Sequence, residues 1–216
     1  ASSNKETYEV INPANEEVIG RASKATPEDV DRALKSAEKG LEVWKKTSPW
    51  KRSSVIRKIA DLIRAKQDVL AKWITIEVGK PFLEGKGEVG ATADIFEWNS
   101  EETKRIYGQT VESRFEDTRI HVYYQPIGVV AAMSPWNFPL VLSGRKISTA
   151  LAAGCSVIIK PDVIAPGGVM ELVDICREAL VPPGVVNLLS GYPPSIASQL
   201  ISVSNTHLTQ PTKREV

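Results

Sequence analysis

Only two cysteines, Cys155 and Cys176, and two histidines, His121 and His207, occur in the 216 residues. That is too few for a disulfide framework or a zinc site, and no metal centre is expected. Neither sign of charge is in surplus: 27 basic side chains stand against 26 acidic ones. The balance leaves no basic footprint for nucleic acid and nothing to steer the chain to an anionic membrane. No apolar run approaches the length of a membrane span, and the first ten residues, ASSNKETYEV, hold no signal-peptide core. A cytoplasmic location is therefore expected. No G-x-G-x-x-G follows a predicted strand, so the common dinucleotide fingerprint is not in place. What remains is the composition of a globular domain, 42% hydrophobic and 25% charged, long enough for one substantial core or one plus a small appendage.

The chain is organised around IGVVAAMSPWNFPLVLSGRKISTALAAGCSVIIKP, from Ile127 to Pro161. Ile127 to Ala132 is a near-continuous apolar run, the pattern of a parallel strand buried on both faces, and Ser134-Pro135 ends it. Pro139 suits the first position of a helix whose apolar face is Leu140, Ile147, Leu151 and neighbouring alanines, and Gly154 stops it. A second buried strand, Ser156 to Ile159, runs into Lys160-Pro161. Ligands of open α/β sheets sit outside the carboxyl ends of the strands, which places Trp136, Asn137 and Lys160 where a ligand binds.

Before this unit, Tyr8–Ile11 and Glu17–Arg21 read as short strands, and Thr26-Pro27-Glu28-Asp29 as a capped helix start. Ser48-Pro49 opens a helix carrying Val55, Ile56, Ile59, Leu62, Ile63, Val69, Leu70, Trp73 and Ile74, broken at Gly79-Lys80-Pro81. A third helix spans Phe82 to Tyr107, with Ile95, Phe96 and Trp98 as packing residues. Thr110–Phe115 and Arg119–Gln125 form a hairpin. After the central unit come a helix over Gly167–Leu180, with Val169, Leu172, Val173, Cys176 and Leu180 on one face, a strand over Val185–Leu189 and a short helix over Pro194–Ile201. Strand, helix, strand, helix, strand predicts right-handed crossovers and a doubly wound parallel sheet of α/β class.

S-P-W-N-F-P, then R-K, A-L-A-A-G-C and I-I-K-P, resembles the NAD(P)-dependent aldehyde dehydrogenase superfamily. Further matches lie at Asn12-Pro13 with Val18-Ile19-Gly20, at Glu77-Val78-Gly79-Lys80-Pro81, at Gln125 to Val130 and at Pro182 to Asn187. The resemblance runs from near residue 7 to about residue 200, less than half of a family member. It implies a Rossmann-like sheet, incomplete here, with N-terminal strands and helices over 1–108 and an oligomerisation hairpin over 109–125. The NAD(P)-binding core covers 126–205, and 206–216 form a divergent polar tail. The catalytic domain is then missing. From the residues alone, the hairpin reads equally as a surface feature of its own domain.

The resemblance implies oxidation of an aldehyde to the carboxylic acid with reduction of NAD or NADP. Asn137 matches the oxyanion-stabilising asparagine; it could instead cap the helix starting at Pro139. Ser134, Pro135 and Trp136 fall beside the cofactor, where Trp136 reads alternatively as a core aromatic. Lys160 matches a lysine on the adenosine ribose, against the alternative of a solvated surface lysine. Three residues on, where many NAD-using members carry glutamate, stands Val163, which leaves the choice of NAD or NADP open; Asp162 is a substitute acceptor. Gly191 marks close approach of backbone to cofactor, or an ordinary turn. Lys146 matches a lysine assigned to proton relay, and Arg145 resembles the semialdehyde dehydrogenase branch, where arginine binds a substrate carboxylate; a surface ion pair is the other reading. Neither cysteine fits the nucleophile, because Cys155 begins a strand about five residues, at roughly 3.3 Å each, from the ligand edge, and Cys176 lies on an apolar helix face. The expectation is a chain inactive by itself that forms homo-oligomers or joins a full-length subunit, with a small aldehyde as the parent substrate. A non-catalytic assembly chain or a truncated product is the alternative.

Overall fold

A computed structural model describes residues 2–192 and 196–201. Two short strands open the chain, β1 (Thr7–Ile11) and β2 (Val18–Ser23), paired antiparallel with a register shift at Val10/Ile11. Four helices follow: α1 (Pro27–Trp44), α2 (Pro49–Ala65), α3 (Gln67–Val78) and α4 (Phe82–Glu102). A second antiparallel hairpin is made of β3 (Gln109–Glu112) and β4 (Arg119–Val122). Then come β5 (Val129–Met133), α5 (Pro139–Ala152), β6 (Ser156–Lys160), α6 (Gly167–Glu178) and β7 (Val186–Leu188). These last strands form one parallel sheet in the order β5-β6-β7.

The sheet sorts its two faces by alternation. Val157 and Ile159 of β6 join the large core made with α2 through α6, while Ile158 points the other way, to Val30, Ala33 and Ala37 of α1. All of β6 is buried, and each fully buried isoleucine there contributes roughly 1.5–3 kcal/mol. α5 and α6 cover one face; α1 and the helical residues 196–201 cover the other, as a doubly wound sheet requires. α1 comes unusually close: a Cβ on Gly40 would lie 2.2 Å from the Gly184 carbonyl carbon.

Several expectations need correction. The apolar run before Ser134 is not buried on both faces, because β5 is an edge strand among the described residues; only Ala132 of it is buried and Ala131 is exposed. The helix begun at Pro49 does not continue to Val78. It breaks at Lys66, whose ψ of 21° leaves the helical range, and the Lys66 ammonium pairs with Glu171 and Glu178 at 3.2 and 2.9 Å. The bend lets α3 run alongside α6. Val69 and Trp98 are exposed, not packing residues, and Leu180 is 74% exposed with a φ of 68°, past the end of α6. Both strands of the hairpin are exposed on either face, Val111, Ile120, Val122, Tyr123 and Tyr124 included. Pro194 and the tail over 206–216 lie outside the described residues. No helix among the described residues is long and apolar enough to cross a membrane.

Candidate active site

β5 and β6 end level with each other: Met133 pairs with Lys160, and the Ser134 amide donates to the Lys160 carbonyl at 3.2 Å. Beyond that point the chain turns sharply through Ser134–Phe138 before α5 begins. The turn therefore sits beside Lys160 at the carboxyl edge of the sheet, where strand ends open to a ligand.

Trp136 is 46% exposed and Phe138 48%, so neither is a core aromatic. Asn137 is exposed, and its side chain makes no hydrogen bond among the described residues. Nor does it cap α5: the N-cap residue is Phe138, without a side-chain bond. The Asn137 amide is thus free to donate to a ligand. Ser134 is buried and spends its hydroxyl on Ser143, 2.7 Å away, which ties the start of the turn to α5. Pro135 is exposed.

Lys160 is 3% exposed, not a solvated surface lysine, and its ammonium donates to the Pro161 carbonyl at 2.9 Å. Burial lowers its pKa, and Asp162 nearby partly opposes that. A buried ammonium with one carbonyl partner retains donors for hydroxyl or phosphate oxygens. Asp162 is already engaged, its carboxylate accepting from the Ile164 amide at 3.1 Å. Val163 packs against Tyr8, Val10 and Ala22 of the first hairpin, so position 163 presents no acceptor to a ribose. Gly191 has a φ of 141°, which only glycine adopts readily, and a Cβ there would meet the Ala25 amide nitrogen at 3.1 Å. The close approach at Gly191 is made by the β2–α1 connection.

On α5, Lys146 reaches back to the end of β5 and donates to the Met133 carbonyl at 2.7 Å. Burial, with Arg145 adjacent, lowers its pKa. Arg145 is exposed and forms no ion pair among the described residues, against the reading of a surface salt bridge. Arg145 and Lys146 line one groove of about 470 Å³ with Ile127, Val130, Ala131 and Thr149, along the open edge of β5. Cys155 closes the far end of that groove at 2% exposure, and Cys176 is buried, its thiol pushed up to about 12 by desolvation. Neither is poised as a nucleophile. Among the described residues no three His, Cys, Asp or Glu side chains gather as a metal would need.

Three functional candidates escaped the sequence. Glu88 of α4 and Lys80 reach the Asn137 turn, and Glu77 of α3 holds the first amides of α6. Glu77 and Lys80 belong to the Glu77-to-Pro81 motif, where only the helix break was readable; nothing in its spacing sets Glu88 apart within the helix. A G-x-G-x-x-G does occur, at Gly85, Gly87 and Gly90, but it lies inside α4. A Cβ on Gly85 would stand 3.1 Å from the Ala71 carbonyl, so that glycine serves helix packing.

The profile described as "Aldehyde dehydrogenase family" matches residues 1–210. A glutarate-semialdehyde dehydrogenase of Pseudomonas putida is 40% identical over 197 residues, covering 91% of this chain and 41% of the relative. An NADP(+)-dependent succinate-semialdehyde dehydrogenase of Escherichia coli is 38% identical over 201 residues, 93% of this chain and 42% of that one. The crystal structure of an E. coli NADP-dependent enzyme superposes with a TM-score of 0.92 at 38% identity, over 93% of this chain and 42% of that chain. The chain thus spans about two fifths of the length of these relatives.

Proposed function

We propose that this chain, which belongs to the aldehyde dehydrogenase family, supplies the cofactor-binding part of an enzyme that oxidises an aldehyde to its carboxylic acid with NAD or NADP. The observation that carries this reading is the meeting of the Trp136–Asn137 turn with the Lys160 ammonium at one sheet edge, both with donors to spare. The residues fit a nicotinamide dinucleotide: Lys160 donates to an adenosine ribose, Trp136 and Pro135 face the bound molecule, and Asp162 and Gly191 shape its surroundings. Val163 offers the ribose no carboxylate, which removes one charge that would repel a 2′-phosphate. When bound, the nicotinamide supplies the hydride acceptor. Asn137 donates its amide N–H to the negative charge that develops on the aldehyde oxygen when the carbonyl carbon is attacked. Lys146 holds a proton at its ammonium against the Met133 carbonyl, and Arg145, without an ion pair among the described residues, receives a carboxylate at the far end of a semialdehyde.

Both thiols are buried, so neither serves as the nucleophile, and the chain alone is expected to turn over no aldehyde. Exposed Ile120, Val122, Tyr123 and Tyr124 favour residues 109–125 as an arm that pairs with a second copy or a longer subunit. Unpaired buried thiols suit a reducing, cytoplasmic compartment.

Fluorescence titration with NADH and NADPH, on the chain and on Lys160→Met, tests the cofactor site. Saturable binding weakened about tenfold by the substitution is expected, the loss of a charged hydrogen bond. A chain that binds neither nucleotide would overturn the reading.

A further inference from the structure

The turn that presents Asn137 is held from a distance by one buried ion pair. Glu88 stands on α4 with its side chain 1% exposed, and Lys80 follows α3 with its side chain 11% exposed; Glu88 Oε2 accepts from Lys80 Nζ at 2.6 Å. Both partners then reach the turn. Glu88 Oε1 accepts from the Leu140 and Val141 amides at 3.0 and 3.3 Å, closing the first turn of α5 that no local side chain caps. Lys80 Nζ donates to the Asn137 carbonyl at 3.2 Å and lies 3.7 Å from the centre of the Phe138 ring. The main chain is therefore fixed on both sides of Phe138. Among the described residues Asn137 has no side-chain partner of its own, so the position of its backbone sets which rotamers, and hence which directions, its amide can take.

We propose that Glu88 and Lys80 are positioning residues for Asn137, aligning its amide with the place where negative charge develops. The inference rests on Asn137 as the oxyanion donor. A fold-stabilising ion pair could sit anywhere on the framework; this one spends every remaining bond on the residues flanking Phe138. Its geometry has two separable parts, Glu88 fixing the start of α5 and Lys80 fixing the Asn137 carbonyl.

The test is nitrogen-15 NMR of the full chain, with the Asn137 side-chain amide identified by its loss in Asn137→Asp. In Lys80→Met the Asn137 side-chain resonances are expected to shift and broaden or split, while the Gly167 and Gly168 amides of α6 stay in place. In Glu88→Gln, hydrogen exchange at Leu140 and Val141 is expected to speed up roughly tenfold, the loss of a helix cap. Lys66→Met, which removes a half-buried lysine pairing with α6, serves as a control that lowers stability without touching the turn. Folded Lys80→Met with unchanged Asn137 resonances overturns the proposal, and this arm decides it even where Glu88→Gln does not fold. Nucleotide titration of the same samples separates the two readings: a wild-type chain that binds no cofactor sinks the cofactor assignment, while the resonances still report on the positioning.

Discussion

α5 and α6 begin alike and are held differently. Each follows a strand of the parallel sheet, each lacks a capping side chain of its own, and each has its first amides taken by a buried glutamate from the framework helices. Glu77 Oε1 and Oε2 accept from Gly167 and Gly168 at 2.6 and 3.1 Å, as Glu88 accepts from Leu140 and Val141. The helix dipole favours a carboxylate at either place. The difference is the cation. Glu88 has Lys80 on its second oxygen, whereas Glu77 forms no ion pair among the described residues, and desolvation raises its pKa to about 7 in spite of the two amides. The charge that needs a permanent partner received one beside the Asn137 turn, where the backbone must stay put. At α6 the cap is a group that can be neutral near physiological pH.

Breaking the paired cap has the largest expected effect. Glu88→Ala leaves the Lys80 ammonium facing the core and uncaps α5, a loss of roughly 3 kcal/mol or more in urea denaturation. Replacing Lys80 by Met in the same chain should recover part of that loss, since the uncompensated charge goes with it; two losses that simply add would show that the pair is not coupled.

The lone cap makes a prediction in pH. Glu77 titrates at about 7 in the fold against an ordinary 4.5, so the folded chain keeps a proton that the unfolded chain releases. The corresponding stabilisation is fully present below pH 4.5 and is lost as pH rises through about 7. Wild type should fall against Glu77→Gln by roughly 2–3 kcal/mol between pH 4.5 and 8. Parallel denaturation curves over that range would show that the carboxylate stays ionised.

Smallest is a pair of methyl groups. A Cβ on Gly167 would lie 2.7 Å from Glu77 Oε1 and from the Trp73 ring, whereas one on Gly168 finds nothing closer than 3.5 Å. Gly167→Ala is expected to cost about 1–2 kcal/mol by displacing the cap, and Gly168→Ala a few tenths, read from melting temperatures. Equal effects would mean that the glycines serve only the backbone.

A third helix start explains why these caps were invisible in the sequence. α1 carries its box locally: the Thr26 hydroxyl accepts from the Asp29 amide and the Asp29 carboxylate from the Thr26 amide, so T-P-E-D announces it. Desolvation alone would raise Asp29, yet the Thr26, Ser3 and Ser2 bonds and neighbouring Arg32 hold it down to about 2. Glu88 lies 52 positions before Leu140, and Glu77 lies 90 before Gly167. No spacing rule spans such separations. The same limit hid the edge position of β5, because an apolar run records what covers a strand's faces and not what lies beside it in the plane. The placement of Asn137 and Lys160 was legible because Lys160 ends β6 and Asn137 lies in the turn after β5, strands whose ends the pattern marks. Trp98 misled because aromatic size suggests burial while helical phase puts it on the open side of α4.

The first strand and α1 are joined to the residues flanking β7. The Tyr8 hydroxyl meets Ser190 Oγ at 2.7 Å across 182 positions, the Ala25 amide donates to the Ser190 carbonyl at 2.8 Å, and Gly40 lies flat on Gly184. On a ribosome, the β1–β2 hairpin and α1 are made early, but the partners they close on, Ile158, Val163 and residues 184–190, follow much later in the chain. Their docking therefore waits on that later stretch, and the apolar side of α1 stays uncovered until it emerges, an interval in which a nascent chain is open to chaperones and to mispairing.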